Sequence, residues 1–352
     1  MKKILRRVVG VDVAKNKLDC SYGVIYDDIT TEILNYEQFD NTTAGYKALV
    51  SFAKIAFKST SNIRYVMEAT GVYHETLAYY LSNKNLDLSV VLPTKTKHFG
   101  QTLLIKTVTD KSASQTIALY GLTQTLAPWI KPAPVYQRLL QLTRERSQNI
   151  EMRTQAKNML HAESHQAIPD PNCIKRQQKL IAHFDKIEIE IEGEIIKLVD
   201  AHAELKEATE LLITIPGIKM ITATSILAET KGFKNIINKK QLVSYAGLDV
   251  VEKQSGTSVK GISKISKRGN KYLRAALYFP SLTSKKCNKL HKNLFERVHT
   301  KTGIKMKGVV AVQRKLLELA YTIVKNKTPF DKDYETKKAE LKKETKVEVE
   351  MA

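Results

Sequence analysis

Cysteine is scarce and scattered. Cys20, Cys173 and Cys287 are odd in number, far apart and without CxxC spacing, which excludes a disulfide framework or a cysteine zinc knuckle and predicts a reducing, cytoplasmic setting. Long apolar runs are missing as well. The basic stretch 1–7 is followed by a short apolar run broken by Asp12, so no export signal is read there, and no stretch approaches the length of a membrane span. Acid is in deficit, with 36 Asp and Glu against 57 Lys and Arg, a formal charge of +21. That imbalance argues against an acidic small substrate and favours a polyanionic partner: nucleic acid first, with ribosomal surfaces or anionic lipid as alternatives.

A chain of 352 residues exceeds one ordinary core and predicts two domains with something joining them. Residues 1–125 alternate β-rich runs (8–13, 18–25, 63–67, 88–92) with helical patterns near 44–57 and 73–82, the reading of an α/β domain. Pro128, Pro132 and Pro134 then punctuate the chain, and 126–208 reads as a helical connector. Within it Leu180, Phe184, Ile187, Ile191, Leu198 and Leu205 follow a 4-3 spacing, interrupted at Glu194 and Ala201. A two-helix hairpin or short coiled coil is predicted, turning at Ala167-Ile168-Pro169-Asp170-Pro171, and its seam serves either a partner chain or its own. A second compact unit spans 209–330, mainly helical around a Gly- and Ser-punctuated middle, and 331–352 is a charged, solvated tail.

Acids stand where strands end. Asp12 lies among valines in Gly10-Val11-Asp12-Val13-Ala14, so its carboxylate needs a partner or a cation. Glu68 repeats the arrangement after Val66-Met67, and Asp110 precedes a helical run from Ala113 to Tyr120. Two strand acids and a helix-borne acid are the ingredients of a ribonuclease H-like site, where carboxylates hold Mg²⁺ for phosphodiester chemistry. Singly, each has a plainer reading: strand-end residue, core acid, helix cap.

Two further segments carry candidate chemistry. Ile215-Pro216-Gly217-Ile218, before the apolar run 221–227, is like the turn of a helix-hairpin-helix, whose amides near Gly217 would contact phosphate; an ordinary helix connection is the alternative. Lys260, Lys264, Lys267, Arg268, Lys271 and Arg274 crowd into 260–274, enough cations to grip several phosphates. Beside them, the Ser255 hydroxyl could attack phosphorus, its pKa lowered by the surrounding charge. Ser255-Gly256 is otherwise simply a turn.

Taken in order, Gly10-Val11-Asp12-Val13-Ala14-Lys15 with Leu18-Asp19, Met67-Glu68-Ala69-Thr70-Gly71-Val72-Tyr73, Thr109-Asp110-Lys111, Ile215-Pro216-Gly217-Ile218, Tyr245-Ala246-Gly247-Leu248, and Ser255-Gly256-Thr257-Ser258-Val259-Lys260-Gly261 with Ser266-Lys267-Arg268-Gly269-Asn270 closely resemble the DEDD-type insertion-sequence transposases, the bridge-RNA-guided DNA recombinases. The resemblance runs from Val9 to about Phe330. It implies a RuvC-like ribonuclease H domain, a coiled-coil connector and a C-terminal transposase domain. Carried over by position, it implies Asp12, Glu68 and Asp110 as Mg²⁺ ligands, and Ser255 as the nucleophile that forms a covalent phosphoserine link. It further implies donor and target DNA and a non-coding guide RNA as partners. A homo-oligomer, dimer or tetramer on DNA, is also implied, with the acids of one subunit serving the serine of another.

One position departs. The family's final acid lies three residues after the third, and Ala113 stands there. The site would then hold one metal well and a second poorly, borrow Ser112 or Ser114 through water, or belong to a decayed copy; a working three-acid site is the expectation adopted. The alternatives to a serine recombinase are a RuvC-like nuclease using metal-activated water, and a non-catalytic nucleic-acid-binding derivative.

Overall fold

A computed structural model describes residues 2–103, 107, 109–252, 254–255, 259–261 and 263–334. The segment 256–258, within the serine motif, and most of the expected tail, 335–352, lie outside the described residues. The chain divides into two compact units within the proline-punctuated stretch, between Lys131 and Pro132. Among the described residues no helix is long and apolar enough to cross a membrane.

The first unit is built on β1 (Ile4–Val13), β2 (Lys17–Tyr26), β3 (Thr31–Asp40), α1 (Thr43–Ala56), β4 (Ile63–Glu68), α2 (Glu75–Asn83), β5 (Asp87–Val91), α3 (Pro93–Thr102) and α4 (Asp110–Thr123). Its five-stranded sheet runs β3-β2-β1-β4-β5. The first three strands are antiparallel hairpins, and β4 and β5 lie parallel to β1. Parallel pairing needs a crossover, and α1 and α2 supply the two that are required. This is the expected RuvC-like ribonuclease H architecture.

Both faces of the central strands are covered, which explains why β2 is buried over most of its length rather than alternating. On one face Val9, Val11, Leu18 and Tyr22 pack with Leu49 and Leu77. On the other Val8 and Val66 meet Ile117 and Leu122 of α4. That second contact is close because glycines permit it: a Cβ on Gly10 would stand 2.2 Å from the Ala118 nitrogen, and one on Gly121 2.8 Å from the Val8 and Val66 side chains.

The second unit opens with α5 (Pro134–Ser164) and α6 (Pro171–Asp200), antiparallel arms that turn where the proline-rich segment predicted. Asp170 caps α6, accepting from the Asn172 and Cys173 amides. Ion pairs lace the arms together, Arg146 to Glu188 and Glu192, and Arg153 to Asp185 at 2.6 Å. Ile191 of the expected seam is buried while Leu180 is 44% exposed, so the seam fades away from the base of the arms. There it merges with a core shared by α7 (Ala203–Ile213), α8 (Met220–Thr230), α9 (Lys239–Ala246), α10 (Lys271–Cys287) and α12 (Lys305–Asn326). Between α9 and α10 lie two short ladders nested in sequence: β6 (Val250–Val251) with β9 (Lys264–Ile265), and β7 (Gln254–Ser255) with β8 (Val259–Lys260). The remaining helix is α11 (Lys289–Thr302).

Candidate active site

Strand register brings the acids together. Val11 of β1 pairs with Met67 of β4, so Asp12 and Glu68 follow side by side at the carboxyl ends of parallel neighbours. The α4 helix runs back along β1, with Ser114 and Ala118 against Gly10, which carries its first residue, Asp110, to the same end of the sheet. Thr109 is the N-cap, in a reciprocal capping box with Ser112. Asp110 is therefore free of capping duty. Burial, then Glu68, Asp110 and Asp19 in that order, push the Asp12 carboxyl up from 3.8 to about 6.

Asp19, which the sequence offered only as part of a motif, is a fourth carboxylate in this field. It faces Asp12 across the β1–β2 hairpin, is 2% exposed, and accepts hydrogen bonds from the Tyr36 hydroxyl at 2.5 Å and the Gln38 amide at 3.0 Å. Lys17 stands between carboxylates, 2.6 Å from Asp110 and 3.5 Å from Asp19. Glu68 accepts from the Thr96 hydroxyl of α3. Ala113 lies one turn along α4, and neither serine beside it replaces the missing acid directly. The Ser112 oxygen serves the cap, and buried Ser114 bonds Ser21 at 2.7 Å and the Lys111 carbonyl. Among the described residues no three acid, His or Cys side chains stand close enough together to chelate an ion as placed. The donor set nonetheless suits a hard divalent cation: oxygen ligands only, and a half-buried carboxylate whose neighbours are negative.

The serine and the basic run belong to the second unit. Ser255 lies in β7 opposite Val259, with Lys260 next in β8 opposite Gln254. Lys264, Lys267, Arg268 and Lys271 are exposed, as phosphate contacts require. Arg274 is half-buried and donates to the Ala246 carbonyl at 2.8 Å, so part of its fork is already engaged. Gly217 sits at φ +96° with its turn against α10, where a Cβ would lie 2.8 Å from the Pro280 carbonyl oxygen.

A buried anchor, unannounced by any single motif, fixes the basic loop. Glu229 of α8, 4% exposed, takes a two-pronged grip from Arg144 of α5 at 2.9 and 3.0 Å, and a hydrogen bond from the Asn270 amide at 2.5 Å. Asn270 also caps α10 through the Tyr272 and Leu273 amides, and Arg144 lies 4.9 Å over the Tyr272 ring. Gly269 closes the loop against Gly247 and Tyr245, where a Cβ would stand 2.5 Å from backbone atoms. The Tyr-Ala-Gly-Leu and Lys-Arg-Gly-Asn motifs are thus two sides of one clamp that presents Lys267 and Arg268 outward.

Comparison with known proteins gives these features a lineage. The transposase family of the DEDD, IS110 type matches residues 9–169, and the Transposase IS116/IS110/IS902 family matches residues 209–296. Pilin gene-inverting proteins of Moraxella lacunata and Moraxella bovis are each 28% identical over 330 residues, covering 92% of this chain and 97% of theirs. The insertion element IS110 uncharacterized 43.6 kDa protein of Streptomyces coelicolor is 21% identical over 141 residues, covering 40% of this chain and 34% of its own. A solved structure of T. thermophilus RuvC in complex with Holliday junction substrate aligns at 12% identity and a TM-score of 0.28, over 35% of this chain and 99% of that one. With IS110-type transposase families matched over residues 9–169 and again over 209–296, and a pilin gene-inverting relative aligned over 92% of the chain, the chain belongs to the IS110-type DEDD transposases and is a transposase, a DNA recombinase.

Proposed function

We propose that this recombinase cuts and rejoins DNA through a covalent link to Ser255, assisted by Mg²⁺ held by Asp12, Glu68 and Asp110, and that a non-coding guide RNA selects its donor and target DNA. The observation that carries the metal assignment is the half-buried Asp12, held up at about 6 with Glu68 and Asp110 as charged neighbours. When bound, a divalent ion supplies charge neutralisation and Lewis acidity at a phosphodiester. In the first step the Ser255 oxygen bonds to phosphorus as the phosphorus–oxygen bond to the departing strand breaks, and the serine proton passes to solvent or to the departing oxygen. In the second, a hydroxyl of another strand attacks the same phosphorus and releases the serine. Lys264 of β9, and Lys267 and Arg268 presented by the Glu229–Asn270 clamp, hold phosphates and offset the charge developing on the phosphoryl oxygens.

The test is a denaturing gel of protein, Mg²⁺, guide RNA and labelled substrate DNA. Wild type is expected to show a protein–DNA adduct that Ser255→Ala lacks while still binding DNA. Free cut ends without an adduct would instead favour cleavage by activated water.

A further inference from the structure

The cations counted so far lie in 260–274, yet a second concentration follows. Residues 285–307 contain eight Lys or Arg and one acid, Glu296. We propose that the outer face of α11, extended by the end of α10 and the start of α12, is a second DNA-contacting surface that grips duplex phosphates without reading sequence. This rests on the chain acting on DNA.

The charges are bare. Lys286, Lys289, Lys292, Arg297, Lys301 and Lys305 are all exposed. Among the described residues the only ion pair in the set is Lys292 with Glu296, at 3.9 Å, a distance worth little in water. Lys285 is the contrast: it rests 4.1 Å over the Phe295 ring and has a structural role. Folding explains only part of the rest: Lys286 and Lys301 lie in the last turns of α10 and α11, where the helix dipole favours cations. Lys289 and Lys292 occupy the first turn of α11, which has no acid, and there the helix dipole disfavours cations. An external anion reverses that preference, since dipole and side chains then act together.

The geometry is linear. Lys289, Asn293, Arg297 and Lys301 recur every fourth residue, so they line one side of α11 at intervals of about 6 Å. At its end Gly303, at φ +69°, turns the chain into α12 with nothing within 4 Å of where its Cβ would stand, which leaves Lys301 and Lys305 flanking an open corner. Surfaces for single strands interleave cations with exposed rings on which bases stack. Phe295, the one phenylalanine of α11, is instead half-buried, with Lys285 over its ring and His299 stacked 5.8 Å away, and the remaining ring, His291, is buried. A rigid rod of cations and hydrogen-bond donors without a stacking platform suits the backbone of a duplex. The two cation sets would give this unit one contact region beside the serine hairpin and another along flanking DNA.

The experiment measures fluorescence anisotropy of a labelled DNA duplex across a salt series with the full chain, without guide RNA or Mg²⁺. Omitting both keeps its outcome separate from the Ser255 and metal assignments. The triple variant Lys289→Gln, Arg297→Gln, Lys301→Gln is compared with wild type and with a control of equal charge change on the connector arm, Lys175→Gln, Lys179→Gln, Lys186→Gln. The surface triple is expected to bind at least about tenfold more weakly near 0.1 M salt, with a log–log salt slope shallower by about 2–3, one counterion-release increment per lost contact. The control is expected to stay near wild type, and swapping the same three positions between Lys and Arg is expected to preserve binding. The proposal is overturned if the surface triple binds the duplex as wild type does, if the connector triple weakens it equally, if wild type shows no duplex binding, or if the loss appears only with a single-stranded RNA.

Discussion

Asp12 concentrates the physical chemistry of the acidic site in one side chain. Its folded-state pKa of about 6 lies above the ordinary 3.8, so the folded protein binds this proton more tightly than the unfolded chain does. The associated stability is present below about pH 4 and is lost as pH rises through about 6. Asp12→Asn cannot ionise, so the metal-free variant is expected to melt above wild type at pH 7.5, by about 1–2 kcal/mol after allowance for solvent screening. The gap should close below pH 4. Added Mg²⁺ is expected to raise the melting temperature of wild type and not of the variant; equal responses in thermal melts would remove Asp12 from the metal site. Asp12, Glu68 and Asp110 stood out in sequence as candidates because each lies at or next to the end of an element. Asp19 was not, since Leu18-Asp19-Cys20 reads as an interrupted apolar run and its place beside Asp12 comes only from hairpin register. Glu229 was hidden for a similar reason: its partners Arg144 and Asn270 are 85 and 41 positions away.

Among the elements, α4 matters most, because it delivers Asp110 to the strand ends. Its seat depends on Gly10, where any Cβ would collide with α4 backbone. Gly10→Ala is expected to displace α4, destabilise the fold by about 3 kcal/mol and weaken Mg²⁺ binding in calorimetry, although no ligand is touched. A variant with wild-type stability and metal heat would show that α4 is not the positioning element. The buried strands and long helices were readable from periodicity, and the α5–α6 turn from its prolines. The β3 strand escaped because it is a sheet edge: Thr31, Glu32, Glu37 and Gln38 are exposed, as edges require to avoid pairing with other chains, and that erases the apolar signal. The α3 helix, Pro93–Thr102, escaped because it buries only Thr96 and so lacks an amphipathic stripe. The four short strands around Ser255 span two residues each, too few to show any period.

For the whole molecule, the formal +21 is divided in function. Part of it tethers helices, Arg146 and Arg153 joining α5 to α6 and Arg144 joining α5 to α8, and part stands exposed in the basic loop and along α11. Composition announced the polyanionic partner but could not separate those populations, because pairing is a property of the fold. The role proposed for this charge is to serve one nucleophile, Ser255. It is tested most directly by trapping wild-type protein with substrate DNA, guide RNA and Mg²⁺, digesting both polymers, and locating the nucleotide-bearing peptide by mass spectrometry. The phosphate is expected on Ser255, with no adduct when the metal is chelated. A nucleotide on any other residue, or an adduct that forms equally well in chelator, would contradict that assignment.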